Sequence, residues 1–164
     1  MKIAVISDTH NHHANLIKAL ELIESENIQT IIHCGDVTTA ETAALLDGYQ
    51  VILSYGNGDF ASGEIRETLE KLNPASFAGL VYHGKIDSLR IAVIHGHHYS
   101  QLQNLIHSQQ FDVIFTGHTH RHGESRHGIT RIINPGAIGG LRKEERSFYI
   151  LDTLTREGRF IFLD

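Results

Sequence analysis

The chain has a single cysteine, Cys34, so no internal disulfide can form. That excludes the small disulfide-stapled scaffolds and points to a reducing compartment. No apolar stretch approaches the ~20 residues needed to cross a bilayer. The run Ile3-Ala4-Val5-Ile6 is too short for a signal-peptide core, because polar Ser7 and Asp8 follow at once. A cytoplasmic protein with no membrane partner is therefore expected. Blocks of lysine or arginine are missing as well. The 14 basic residues face 19 acidic ones, a net charge of −5 with histidine neutral, which argues against a nucleic-acid partner. No linker, repeat or low-complexity segment interrupts the 164 residues, so residues 1–164 are expected to form a single domain.

Histidine is in excess, with 13 in the chain. That number asks for a metal or a proton-handling site. In the first half, apolar runs alternate with helical spacing. Lys2–Ser7, Thr30–His33 and Tyr49–Ser54 read as buried strands. Ala14, Leu16, Ile17, Ala19, Leu20, Leu22 and Ile23 recur as one helix face, and Thr38–Leu46 opens with capping hydroxyls. Strand–helix–strand–helix–strand predicts parallel strands in one sheet. The second half changes character. A helix is expected over Ile65–Leu72, and a hairpin from Leu80–Ile86 and Leu89–Ile94 around Asp87-Ser88. A short helix over Leu102–His107 and strands at Asp112–Phe115, Ile129–Ile133, Ser147–Asp152 and Arg159–Leu163 complete a mixed α/β chain.

Residues able to bind metal stand at the strand ends. Asp8 and His10 follow the first strand, Asp36 the second and Asn57 the third; His95 closes the hairpin, and His118 and His120 follow Asp112–Phe115. In open α/β sheets, loops from several strands converge at their carboxyl ends, and ligands bind there. Adjacent carboxylates repel, and a cation removes that repulsion. Oxygen and nitrogen donors without thiolate suit Mn, Fe, Ni, Zn or Mg. Seven donors are too many for one such ion, so two ions sharing a carboxylate fit better.

Five motifs carry a resemblance: Ser7-Asp8-Thr9-His10, His33-Cys34-Gly35-Asp36-Val37, Gly56-Asn57-Gly58-Asp59, His95-Gly96-His97 and Gly117-His118-Thr119-His120. In this order, and with Asn134-Pro135-Gly136-Ala137 after them, they resemble the calcineurin-like metallophosphoesterases, specifically the small YfcE-type phosphodiesterase branch. The resemblance implies a four-layer α/β/β/α sandwich, two mixed sheets flanked by helices. It implies one divalent ion on Asp8, His10 and His120, a second on Asn57, His95 and His118, and Asp36 between them. Mn, Ni, Fe, Zn or Mg would serve, with Mn favoured. A hydroxide bridging the pair would be the nucleophile, since metal binding lowers the pKa of water toward about 7. No covalent enzyme intermediate is needed.

One departure stands out. Larger relatives carry a histidine directly after the position of Asn57, where this chain has Gly58. His97 and His98, and less so His12, are the nearest groups that could assist a leaving group or contact substrate. Cys34 reads as a small buried hydrophobe. His33, His83, His107, His122 and His127 read as core-edge or surface residues, with His122 and His127 able to line the entrance. Asp59 reads as a turn residue supporting Asn57, and Asn134-Pro135-Gly136 as a turn. The expected partner is a small phosphodiester, such as a cyclic nucleotide or another nucleotide-derived diester. Two alternatives are a phosphomonoesterase using the same site and a protein-binding scaffold of the retromer-subunit type. No basic or aromatic recognition loop is evident from the sequence. The resemblance also allows a homo-oligomer, dimer or tetramer.

Overall fold

A computed structural model describes residues 1–140 and 144–163. Strand β1 (Lys2–Ile6) leads to α1 (His13–Ser25), β2 (Thr30–His33), α2 (Ala40–Ala44), β3 (Gln50–Ser54) and α3 (Ser62–Leu72). After β4 (Phe77–Gly79), the hairpin β5 (Val81–Ile86) and β6 (Leu89–Ile94) precedes α4 (Tyr99–Ser108) and β7 (Val113–Phe115). The described chain ends with β8 (Gly123–His127), β9 (Thr130–Asn134), β10 (Ser147–Asp152) and β11 (Gly158–Phe162).

Two mixed sheets result. One has the order β11-β10-β1-β2-β3-β4, the other β5-β6-β7-β9-β8. In the first, β1 to β4 are parallel, as the βαβ pattern predicts, while β10 runs antiparallel to β1. In the second, β6, β7 and β9 are parallel, and β5 and β8 run antiparallel along the edges. The β5–β6 hairpin turns at Asp87-Ser88 as expected, with Ile86 opposite Leu89.

The alternation of apolar side chains explains the four layers, because successive strand residues point to opposite faces. In β1, Ala4 and Ile6 meet Leu16, Ala19 and Ile23 of α1, and Ile65 and Leu69 of α3 join the same cluster. Ile3 and Val5 instead face Ile91, Val93 and Phe115 of the opposite sheet. The outer face of the second sheet, with Ala92, Ile94 and Ile114, packs against Leu102, Leu105 and Ile106 of α4. Three apolar clusters thus fill the three gaps between helix, sheet, sheet and helix layers, and this α/β arrangement is the one the motifs imply. Strands buried on both faces read as continuous apolar runs, which is why β1, β2 and β6 are visible in the sequence.

Two strands are additional to the sequence expectation. Both β4 and β8 lie at sheet edges. Helix α2 begins at Ala40 rather than Thr38, since Thr38 has φ +76° and Thr39 caps the helix by accepting from the Thr42 N–H. Helix α4 extends one turn further toward its amino end than Leu102–His107.

Candidate metal centre

The parallel strands β1, β2, β3, β6 and β7 deliver their following loops to one edge of the sandwich. Five of the seven expected donors meet there. Asp8 Oδ1 lies 3.2 Å from His120 Nε2 and 3.7 Å from His10 Nε2. Asp36 Oδ2 lies 3.5 Å from both His10 Nε2 and His95 Nε2, midway between two imidazoles. The donors form two triads, Asp8–His10–His120 and Asp8–Asp36–His95, with all donor atoms of each within 4.8 Å of one another. Asp8, Asp36, His95 and His120 are buried, and His10 is half-buried. The two remaining donors stand further out. His118 is exposed, with its ring 5.1 Å from that of His95, and Asn57 is exposed on the loop after β3.

Left-handed backbone makes the convergence. Asp8, His10, Asn11, Asp36, Thr38, His118 and His120 all have φ between +47° and +76°. Such residues turn the chain abruptly away from its strand, and they cost roughly 1–2 kcal/mol each outside glycine. Close approach explains two glycines. A Cβ on Gly117 would stand 1.9 Å from Ser7 Oγ, and one on Gly56 2.1 Å from Asp36 Oδ1.

Hydrogen bonds aim the donors. Asp8 Oδ2 accepts from Ser7 Oγ at 2.6 Å and from the His118 N–H at 3.0 Å, while Oδ1 is buried with no hydrogen-bond partner. His95 Nδ1 stands 2.6 Å from the Cys34 carbonyl. A carbonyl only accepts, so Nδ1 carries the proton and Nε2 keeps its lone pair. That Nε2 is buried without a partner. Orphaned acceptors of this kind are costly unless a cation completes them. The donor set, carboxylate oxygens and imidazole nitrogens with no thiolate, therefore fits a hard or borderline divalent ion.

The electrostatics are those of a site built around positive charge. Burial would raise the Asp8 carboxyl, yet His10 and His120 hold it well below the usual carboxylate range. Asp36 is lowered too, with His95 outweighing its burial. Reciprocally, Asp8 raises the His10 ring, and Asp36 and Asp8 raise His95 against its burial. His97 shifts the other way: burial, then His98 and His95, lower it, which favours the neutral ring. Its Nδ1 is buried and unpartnered, and its ring lies 4.0 Å from His98 and 5.4 Å from His95.

The supporting residues were only partly visible in the sequence. Asp59, expected to support Asn57, instead accepts from the N–H groups of Asp36, Thr38 and Gly56 at 2.7–2.9 Å. Burial raises Asp59 above the ordinary carboxylate value despite these bonds. Asn134-Pro135-Gly136 opens a loop that closes on the centre. Ile138 and Gly139 donate to the carbonyls of Ser7 and Asp8, and a Cβ on Gly140 would meet His120 at 2.8 Å. Arg146 clamps this loop by donating to the carbonyls of Gly139 and Gly140.

Several histidines lie elsewhere. His33 is fully buried rather than at the core edge; its Nδ1 accepts from the Gly35 N–H, so Nε2 donates to Thr9 Oγ1. His12 caps α1. His127 does not line the entrance. It pairs with Thr130, at the end of β9 opposite Asn134, and packs beside His107. His122 packs against Phe160 and Phe162, and His83 against Phe111.

Comparison with known proteins agrees with this geometry. Residues 1–156 match the model of the calcineurin-like phosphoesterase superfamily domain. The phosphodiesterase MJ0936 of Methanocaldococcus jannaschii is 35% identical over 166 residues, covering 100% of both chains. A solved structure of an archaeal phosphodiesterase superposes with a TM-score of 0.94 at 35% identity, over 99% of this chain and 100% of that one. Zinc-bound Vps29 from Entamoeba histolytica, at 19% identity and a TM-score of 0.72 over 100% of this chain and 99% of its own, shares the fold. The chain belongs to the calcineurin-like phosphoesterase superfamily.

Proposed function

We propose that this chain is a metal-dependent phosphodiesterase that hydrolyses small phosphodiesters at a two-ion centre, with Mn favoured. The observation that carries the reading is the pair of buried, unpartnered lone-pair donors, Asp8 Oδ1 and His95 Nε2, within two triads that share Asp8. The name and the 35% identity of the archaeal relative supply the reaction class. Asp8, His10 and His120 would hold one ion, Asn57, His95 and His118 the other, and Asp36 would stand between them. When bound, such ions acidify a water to serve as nucleophile and offset charge on the phosphate oxygens.

The protein's own contribution is placement. Ser7 and the His118 N–H occupy Asp8 Oδ2 so that Oδ1 alone faces the centre. The Cys34 carbonyl fixes the His95 tautomer. His97 and His98 are assigned to substrate or leaving-group contact, with the neutral His97 ring suited to hydrogen bonding. The working unit is residues 1–164 as one domain. Among the described residues, no helix is long and apolar enough to cross a membrane.

The test is hydrolysis of bis-p-nitrophenyl phosphate beside p-nitrophenyl phosphate, by metal-stripped protein resupplied with Mn, Ni, Fe, Mg or Zn. Metal-dependent diester cleavage that Asp36→Asn abolishes is the expected result. A preference for the monoester would instead make the chain a phosphomonoesterase. Tight metal binding without any turnover would leave the scaffold reading.

A further inference from the structure

A second polar cleft lies at the amino ends of β6 and β7, away from the metal centre. Its volume is about 260 Å³, and Arg126, Arg131 and Arg156 line it beside Asp112 and Glu124, together with the buried Leu89 and Val113. Leu89 and Val113 are the first residues of β6 and β7, whereas His95 and His118 come after their last. The six residues of β6 put roughly 20 Å between the two places. Folding gathers these arginines from two separate hairpins. Arg126 and Arg131 are direct partners in the β8–β9 ladder. Side chains opposite one another in a ladder share a face, and like charges placed so repel. The cleft's carboxylates are already committed. Glu124 takes the Nε and Nη2 of Arg131, whose Nη1 donates to the Arg156 carbonyl at 2.6 Å. Asp112 is gripped by Arg90 in the same two-pronged way, at 2.9 and 3.1 Å. Among the described residues, the guanidinium groups of Arg126 and Arg156 make no hydrogen bond or ion pair. Both nevertheless act on the cleft, since Arg126 contributes to the lowering of Glu124 and Arg156 to that of Asp112. Arg156 also has φ +64°, a left-handed conformation that glycine adopts freely and arginine rarely. Its turn is pinned by Asp152, whose Oδ1 accepts from the Leu154 and Thr155 N–H groups and whose carbonyl accepts from that of Arg156. A strained backbone on a rigid turn thus holds a guanidinium that nothing in the chain uses.

We propose that Arg126 and Arg156 form an oxyanion site for a compact polyanion of the pyrophosphate type, remote from the metal centre. Guanidinium forks match phosphate oxygens bidentately, and a bound anion offsets the repulsion between Arg126 and Arg131. The chain's net charge of −5 repels extended polyanions, so the ligand is one small enough to enter the cleft. The site is independent of the phosphodiesterase reading.

The probe is inorganic pyrophosphate, titrated calorimetrically into metal-stripped protein at about 0.15 M salt, where diffuse surface attraction is screened. One saturable site is expected, and Arg126→Gln and Arg156→Gln should each weaken it by about tenfold or more. Arg126→Lys, which keeps the charge and loses the fork, should also bind more weakly than the wild type. Ligand-free Arg126→Gln should melt no lower than the wild type, because it relieves the repulsion with Arg131, so its lost binding is not lost folding. Arg66→Gln, an exposed exchange on α3, and His118→Ala, at the metal centre, should leave the affinity unchanged. Absence of saturable binding to the wild type would overturn the proposal, as would binding that survives both Arg126→Gln and Arg156→Gln. An affinity that falls equally in Arg66→Gln would reduce the effect to general surface charge and reject the site. A fall in His118→Ala would place the anion at the metal centre and reject it as well.

Discussion

The backbone N–H of Gly58 donates to Asp36 Oδ1 at 2.6 Å, and a Cβ on Gly58 would stand 3.0 Å from the same oxygen. It would also stand 3.3 Å from Thr38 Cγ2. The residue that departs from the pattern of the larger relatives is therefore packed against the carboxylate between the two proposed ions.

Placing a histidine there should damage the centre rather than improve it. Gly58→His is expected to lower diester turnover at least tenfold and to weaken metal binding, with Gly58→Ala intermediate. Displacing a supporting contact typically costs about 10–100-fold in affinity or activity. Steady-state kinetics with aryl and alkyl diesters, beside metal titration, check this. A Gly58→His enzyme that gains selectively on the alkyl diester would contradict it.

Arg146 holds the Gly139–Gly140 carbonyls against the His10 and His120 side. Arg146→Met should loosen that loop and weaken metal binding on the Asp8, His10 and His120 side by about 10-fold or more, while the fold persists. Calorimetric metal titration reads the change. Unchanged metal affinity would show that the loop holds its place without the clamp.

Burial pushes the His33 ring down to about 3 from its ordinary 6.5. Its folded pKa is depressed, so the unfolded chain takes up a proton that the native chain refuses as pH falls below 6.5. Stability contributed by neutral His33 is full above that value and drains away as pH falls toward 3, at up to about 1.36 kcal/mol per pH unit. His97 and His118 are lowered by burial and act in the same direction. Asp8 and Asp36, both lowered carboxylates, lose their contribution only below about 3.8. His10 and His95, both raised, lose theirs only as pH rises above 6.5. Metal-free His33→Gln should accordingly show a shallower fall of Tm between pH 6.5 and 4 than the metal-free wild type. Parallel curves would remove His33 as a source of acid sensitivity.

Across the sheets, Arg131 grips Glu124 with its Nε at 2.7 Å and Nη2 at 3.1 Å, and Tyr149 OH donates to Glu124 at 2.9 Å. Glu124 is lowered by Arg131, and Tyr149 is pushed up to about 12 by burial and by Glu124. The network ties β8 and β9 of one sheet to β10 of the other. Glu124→Gln should cost about 0.5–1 kcal/mol in urea unfolding, because the ion pair it breaks is partly open to solvent. Tyr149→Phe should cost about 1 kcal/mol. Neutral variants would show that solvent replaces the network.

The layered fold was largely legible because its interior strands are buried on both faces and read as apolar runs. The exceptions have a physical cause. Strand β8, Gly-Glu-Ser-Arg-His, has no apolar face and is held by its pairing with β9 and by the polar contacts of Glu124. Strand β4 spans three residues at the other sheet's edge. At the centre, side chains announced themselves by type and by position after strands. What aims them did not, since the Cys34 carbonyl and the Gly58 and His118 amides are backbone atoms that any residue possesses. Asp59 could have been found: an aspartate closing a Gly-Asn-Gly turn is a ready acceptor for surrounding N–H groups.

Asp8, His10, His118 and His120 occupy backbone conformations that glycine would adopt with little strain. At His118, the exposed member of the four, exchange for glycine would relieve roughly 1 kcal/mol of backbone strain and lose a donor. Screens of random variants for heat resistance should accordingly enrich inactive proteins at this position. Thermal tolerance and competence pull in opposite directions at the carboxyl end of β7, so only a screen that scores both will preserve the centre.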